Sequence, residues 1–516
     1  MKHLKISCAF CLFLFLPAAA SAQSLEAKIR EIDAYAEKAR LAWNVPGMAV
    51  TVVKDGRVVL AKGYGLREIG RPEKVDEHTL YAIASNSKAF TTAMLAMLAD
   101  EKKLSWNDPV SRHLPEFQMP DPYVTRELTV RDLVSHRSGL GTFSGDLLWY
   151  QTNYSSDEIL RRVRFLKPVN GFRAAYGYQN LMFIAAGRVL EKVTGRSWAE
   201  NVRERILGPL GMTDTRTSVT EFRPGDNVAS PHNELEGKLR VVAYDNVDNA
   251  AAAAALNSSV ADLSAWLRLQ LGRGAFEGKR LFSERQSWEM WQPQIAIPVS
   301  DASMKSNPTR HFSLYGLGWA VSDYQGRKVV GHGGGLDGMI SQTSMMPEEG
   351  IGIAVLTNSE TGLASALVSK AYDVLLGVAP PRDWSAEALE RAKASAETAA
   401  AERAKILAAR VDGTKPSLSL DGYAATYTCP LYGDVAIAKE GEGLVLRMVP
   451  AANLTADLEH WHYDTFRIHW RDTVAYAFPP GFVTFTLDDK GKTDRLVVNQ
   501  PNNDFWFYEL ELRRAK

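Results

Sequence analysis

The chain has 516 residues, with 60 Lys+Arg balanced by 60 Asp+Glu and 46% hydrophobic residues. That balance excludes nucleic acid as the main partner, because no excess of positive charge is available to neutralise phosphates. The length exceeds one ordinary hydrophobic core, so two or three domains are expected.

Residues 1–22 read as a cleaved leader. Lys2 and Lys5 form a positive start, Ile6 to Leu16 is apolar, and Ala20-Ser21-Ala22 offers small residues for cleavage. An exported, periplasmic or secreted protein is therefore expected, with no integral membrane segment after cleavage. Loss of the two lysines leaves a net charge of about −2. Cys8 and Cys11 leave with the leader, so Cys429 alone remains and no internal disulfide can form. It reads as a buried strand residue.

Met48–Val53 and Arg57–Gly65 flank Lys54-Asp55-Gly56, a hairpin signature. The next informative piece is Ser85-Asn86-Ser87-Lys88, followed by the apolar run Ala89–Leu98 with no Gly or Pro before Trp106. If a helix starts here, positions three apart share a face and the Lys88 amine reaches the Ser85 oxygen. A serine needs such a neighbour to take its proton before it can act as a nucleophile. Tyr178-Gln179-Asn180 follows a Gly/Ala-rich turn and opens a helical run, Leu181 to Val193, that stops near Gly195. Ala250–Ala255 is a low-complexity stretch read as a loop.

Strand patterns return at Leu317–Val321, Lys328–Val330, Gln342–Met346 and Ile351–Leu356, with His332-Gly333-Gly334-Gly335 after the second of these. Strands early and late that enclose helices predict an α+β domain whose antiparallel sheet is built jointly by both ends. Ser385 to Arg410 is Ala/Glu/Lys/Arg-rich without Gly or Pro and predicts a helical spacer. Beyond it, short β-branched and aromatic runs (423–428, 435–438, 444–448, 465–470, 483–487 and 506–512) predict a small closed antiparallel β-barrel.

The order S-x-x-K at 85–88, Y-x-N at 178–180 and H-x-G at 332–334 resembles the class C β-lactamase-like serine hydrolases, a group of penicillin-binding-protein, esterase and D-aminopeptidase type. Leu128–Leu140, Tyr178–Gly195, Asn257–Leu263 and His332–Asn358 resemble further segments of that family, so the likeness runs from about Ile32 to Val378. The tail, with Leu458–Phe466 as its most distinctive piece, is similar to a lipocalin-like C-terminal domain carried by some members. The implied organisation is leader 1–22, hydrolase domain 23–383 of β-lactamase/transpeptidase-like fold with its sheet flanked by helices, helical linker 384–415, and barrel 416–516.

The resemblance implies an acyl-enzyme at Ser85, with Lys88 and Tyr178 handling protons. Both of these have ordinary pKa values too high for a base at neutral pH, so they are expected to act as one coupled pair that deprotonates above neutrality. Asn180 is expected to hydrogen-bond Lys88 and the substrate amide. His332, Gly334 and Gly335 are expected around the substrate, with the Gly335 N–H joining that of Ser85 as an oxyanion hole. His332 and Gly333 stand where the β-lactamases carry Lys and Thr, which weakens recognition of a carboxylate. His136 is expected to support the wall of the site, and His460 and His462 are read as polar barrel residues in preference to metal ligands.

The expected function is hydrolysis of an amide or ester in a peptide or small molecule, by a peptidase of D-aminopeptidase or D-Ala-D-Ala carboxypeptidase type or by a carboxylesterase. No cofactor and no metal are expected. A weak β-lactamase, or a non-enzymatic ligand- or cell-wall-binding protein on a hydrolase scaffold, are the alternatives. Self-association through the barrel is the remaining expected contact.

Overall fold

The computed structural model describes residues 23–235, 237–471 and 478–516. The leader reading therefore lies outside the described residues. Eight antiparallel strands form the main sheet, in the spatial order 57–65, 47–54, 351–357, 339–346, 327–336, 320–324, 313–315 and 295–296. The first two are the expected hairpin. Asp55 and Gly56 both take positive φ, 50° and 74°, the backbone that a two-residue turn between twisted strands requires. Strand Gly47–Lys54 then pairs with Ile351–Thr357, so both ends of the domain share one sheet.

Helices cover both faces. Leu25–Ala42 and Leu363–Leu376 pack on one side through Ile32, Ala36, Leu367 and Ala371. On the other side lie Val260–Leu271, Ser87–Asp100 and Asn180–Thr194. Every residue of helix Ser87–Asp100 from Ser87 to Leu98 is buried, which explains why its apolar run has no polar stripe.

Expected and observed boundaries differ in two instructive places. The strand read at Leu317–Val321 begins only at Ala320, because Gly318 adopts φ +73° and breaks the extended run. The run at 506–512 is a 3₁₀ turn at Phe507–Glu509, and only Leu512–Arg514 joins the barrel. Asp504 and Phe505 face the hydrolase cavity and Glu509 bonds Ser144 and Gly145, whereas Phe507 packs on Trp470 of the barrel and Tyr508 is exposed.

Helix Trp384–Ala408 leaves the body after burying Trp384, whose indole N–H donates to Asp373 at 2.6 Å. From Arg391 to Lys405 it is exposed, and only Ile406 and Leu407 in its last turn are half-buried. Arg410 then donates to the carbonyls of Trp461 and His460, at 3.1 and 3.0 Å. The closed barrel comprises strands 425–429, 433–440, 443–448, 455–462, 465–470, 481–487, 493–499 and 512–514. Tyr423, Tyr427, Phe466 and Phe485 pack against one another inside it, and Cys429 is buried on its first strand. A register shift between His460 and His462 interrupts their common facing. The barrel rests on the hydrolase body: Arg162 donates to the carbonyls of Pro430 and Leu431, and Asn153 N–H to that of Pro450.

Candidate active site

Ser85 sits on a 3₁₀ turn, Ala84–Asn86, between the short strand Tyr81–Ala82 and helix Ser87–Asp100. Ala84 is held at φ +46°, an uncommon conformation for a residue with a Cβ. Its surroundings impose it. The Ile83 carbonyl accepts from Ser341 Oγ at 2.8 Å, and Asn86 bridges Ser341 Oγ (2.8 Å) and Thr343 Oγ1 (2.6 Å) on the adjacent strand. Asn86, a variable position of S-x-x-K, is thus the bolt that fixes the turn to the sheet.

Lys88 is fully buried and its Nζ meets three acceptors: Ser85 Oγ at 2.9 Å, Asn180 Oδ1 at 2.7 Å and the Ala253 carbonyl at 3.1 Å. The alanine run read as a loop is in fact a 3₁₀ turn and a helix, Ala251–Ala254, that supplies this carbonyl. Its small side chains permit the approach, since a Cβ on Gly187 would stand 2.5 Å from Ala252. Burial lowers the Lys88 pKa to about 7, partly opposed by Asp146, which favours the charged form. A neutral Lys88 keeps two N–H groups for Asn180 and Ala253 and turns its lone pair to the Ser85 hydroxyl. It can then accept the hydroxyl proton.

Asp146 was not singled out in the sequence, although it completes the network. Asn180 Nδ2 donates to Asp146 Oδ2 at 2.6 Å, so one amide bridges the lysine and the acid. Burial raises the Asp146 pKa to about 7, against the hydrogen bond from Asn180 and the Lys88 charge. The partner with which Lys88 shares its proton balance is therefore Asp146.

Tyr178 does not take that part, because burial pushes its phenol well above its usual value. It lies within hydrogen-bonding reach of Ser85, and Lys88 Nζ stands 4.8 Å from its ring centre. A phenol in that place has the chemistry to donate a proton to an oxygen leaving or arriving at Ser85. Its backbone is clamped: Tyr178 N–H donates to Thr142 Oγ1 at 3.1 Å, and Phe143 N–H to the Tyr178 carbonyl at 2.9 Å. His136 accepts from the Gln179 N–H at 3.0 Å through Nδ1, so its ring is neutral with the proton on Nε2. Its ring packs 4.1 Å from that of Tyr178, in keeping with the supporting part expected of it.

His332, Gly334 and Gly335 all lie on strand Arg327–Leu336, which runs beside the Ser85 turn. Gly334 is buried behind that turn, where a Cβ would come 2.2 Å from the Ile83 carbonyl. Gly333 and Gly335 face the cavity instead. Pairing with strand Ala320–Tyr324 ends at Gly331, so among the described residues that edge of 332–336 has no ladder partner. His332 Nδ1 donates to the Gly333 carbonyl at 2.6 Å, and Nε2 accepts from the buried Tyr315 hydroxyl at 2.8 Å. Burial and the Lys88 charge lower its pKa to about 3, so it is neutral across the working range. Tyr315 lay in an unremarkable stretch of sequence and gave no signal.

The cavity over Ser85 has a volume of about 440 Å³. Among the described residues no lysine or arginine lines it, whereas Asp146, Asp337, Glu360 and Asp504 do. Asp504 and Phe505 come from the barrel, and Phe505 packs 4.2 Å from Tyr150. Among the described residues no cluster of three or more His, Cys, Asp or Glu could hold a metal ion, and no helix is long and apolar enough to cross a membrane.

Residues 27–377 match the family described as Beta-lactamase. The chain belongs to the beta-lactamase family. Residues 409–514 match a second family, described as a domain of unknown function, DUF3471. This beta-lactamase family member is 31% identical over 422 residues to "Unguisins hydrolase ungD'" of Aspergillus campestris, which covers 78% of this chain and 76% of that protein. It is 28% identical over 345 residues to "Protein flp" of Staphylococcus aureus, covering 66% and 65% of the two. Its fold matches an octameric penicillin-binding protein homologue from Pyrococcus abyssi, with a TM-score of 0.61, 22% identity and coverage of 92% and 98%. A D-stereospecific amidohydrolase from Streptomyces sp. matches with a TM-score of 0.54 and 25% identity, over 67% of this chain and 99% of that one.

Proposed function

We propose that this protein is an exported serine hydrolase that cleaves an amide or ester through an acyl-enzyme on Ser85. The observation that carries the reading is the 2.9 Å contact between Ser85 Oγ and a fully buried Lys88 whose pKa is brought to about 7. Neutral Lys88 takes the Ser85 proton as Oγ attacks the carbonyl carbon, and the resulting ammonium is balanced by Asp146 through Asn180. The Tyr178 phenol delivers a proton to the leaving amine or alcohol. The Gly335 and Ser85 N–H groups stabilise the oxyanion, and water then attacks the acyl carbon with the same groups working in reverse. The hydrolase and amidohydrolase named among the relatives support the reaction class. Export rests on the composition of residues 1–22.

The cavity wall favours one part of the substrate range. Neutral His332, Gly333 without a hydroxyl, and four lining acids leave no counter-charge for a free carboxylate. We therefore favour esters and amides whose acyl and leaving groups lack a carboxylate near the scissile bond, over D-Ala-D-Ala carboxypeptidase or β-lactamase activity. A panel of p-nitrophenyl esters, D-aminoacyl anilides and a chromogenic cephalosporin tests this. Turnover of the first two classes with the cephalosporin far slower is the expected result. A cephalosporin turned over fastest would refute the reading of the pocket.

A further inference from the structure

We propose that Glu509, on the C-terminal barrel, is a positioning residue for the Ser85–Lys88 pair. The inference rests on the catalytic reading of those two residues given above. Glu509 lies on the 3₁₀ turn Phe507–Glu509 between the last two barrel strands. Its carboxylate accepts from Ser144 Oγ at 2.6 Å, from the Gly145 N–H at 3.1 Å and from the Tyr432 hydroxyl. Two of those donors belong to the segment that precedes Asp146. Gly145 takes φ +84° there, at the entry to the short 3₁₀ turn Asp146–Leu148.

From this segment an unbroken chain of hydrogen bonds leads to the nucleophile. Asp146 holds Asn180 at 2.6 Å, Asn180 holds Lys88 at 2.7 Å, and Lys88 meets Ser85 at 2.9 Å. The same segment fixes Tyr178, through the bond from Phe143 N–H to its carbonyl. Two barrel aromatics press on either side of it. Phe505 packs on Tyr150, and the Trp506 ring lies where a Cβ on Gly141 would come within 2.2 Å. The barrel therefore grips residues 141–150 by one carboxylate and two rings, and that loop carries the acid that sets the lysine.

The groups that face Lys88 from the surrounding elements are Asp146, Tyr178, His136 and His332. Tyr432 and Tyr508 are the titratable groups beside Glu509. Releasing the 143–146 segment admits water to Lys88 and weakens its burial, the larger influence on its pKa, so the gain for the ammonium outweighs the loosened contact with Asp146. The acidic limb of kcat/KM should then move to higher pH.

The test uses full-length Glu509→Ala, Glu509→Gln and Arg162→Ala, with kcat and KM measured against pH on one ester or amide substrate. Glu509→Ala should lower kcat by ~10- to 100-fold with KM changed less than ~threefold, and raise the acidic limb by about half a unit or more. Glu509→Gln keeps an acceptor for the Gly145 N–H and should recover most of kcat. Arg162→Ala breaks the barrel contact at Pro430 and Leu431 and should leave the limb in place. Unchanged kcat and limb in Glu509→Ala would overturn the proposal. So would equal shifts in Glu509→Ala and Arg162→Ala, which would reduce Glu509 to a docking contact. If Glu509→Ala does not fold, Ser144→Ala replaces it, and an unmoved limb there refutes the relay. Ser85→Ala is assayed alongside: activity surviving in that variant defeats the catalytic reading itself, whereas its loss with an inert Glu509→Ala defeats only this inference.

Discussion

Asp146→Asn should make the enzyme work at lower pH. The two hydrogen bonds across Asn180, 2.7 and 2.6 Å, join fully buried groups whose pKa values have both been moved to about 7. Charges so bridged stand about 6–7 Å apart, worth roughly 2–3 kcal/mol at an effective dielectric near 20, or up to about 2 pH units. Because Asp146 is itself only partly ionised near neutrality, about 1 unit is the more realistic shift. Asn at 146 keeps an oxygen for Asn180 Nδ2 but carries no charge, so the Lys88 ammonium loses its stabiliser and its pKa falls. The sign is the useful part: the acidic limb of kcat/KM moves down, and activity at pH 5.5 rises relative to that at pH 8. The assay is initial rate against pH from 5 to 9.5 with a substrate whose leaving group does not titrate there. An unmoved limb, or one displaced upward, refutes the coupling of Lys88 to Asp146.

Lys88→Met should change stability in a pH-dependent way. Native Lys88 titrates near 7, whereas the unfolded lysine titrates near 10.5, so between these values the unfolded chain binds one more proton and wild-type stability rises with pH. The stability of Lys88→Met relative to wild type should therefore be greatest below pH 7 and decline by roughly 1.4 kcal/mol per unit between about pH 7.5 and 9.5, read from urea midpoints; a constant difference would contradict the lowered pKa. His332→Lys places a cation beside the nucleophile and should raise kcat/KM for carboxylate-bearing substrates relative to neutral ones by about tenfold. An unchanged ratio would show that residue 332 does not set this preference.

Much of this was legible in the sequence where local rules suffice. The Asp55-Gly56 turn demanded positive φ, the apolar run after Ser85 demanded burial, and the spacing of Ser85 and Lys88 put them on one face. The closed barrel followed from short β-branched runs separated by turns. Other features depend on tertiary placement that no local pattern encodes. Asp146 stands in an ordinary Gly-Asp-Leu-Leu stretch and matters only because a left-handed Gly145 aims it at Asn180. Ala253 contributes a carbonyl, to which side-chain chemistry gives no clue. The coupled Lys88–Tyr178 pair expected above neutrality gives way to Lys88–Asp146 near neutrality, because burial disfavours charge on both lysine and phenol. Residues 506–512 read as a strand, yet the contacts of Trp506 with Gly141 and of Glu509 with Ser144 hold the start of that run in a 3₁₀ turn.

The central claim is that Ser85 becomes acylated with the help of Lys88, and covalent labelling tests it most directly. Full-length protein is treated with a fluorophosphonate probe at pH 8 and at pH 5.5, and the modified residue is located by peptide mass spectrometry. One adduct on Ser85 is predicted, formed at least about tenfold faster at pH 8 than at pH 5.5 and lost in Ser85→Ala. Labelling that persists in Ser85→Ala, or a Ser85 adduct whose rate ignores pH, would contradict it.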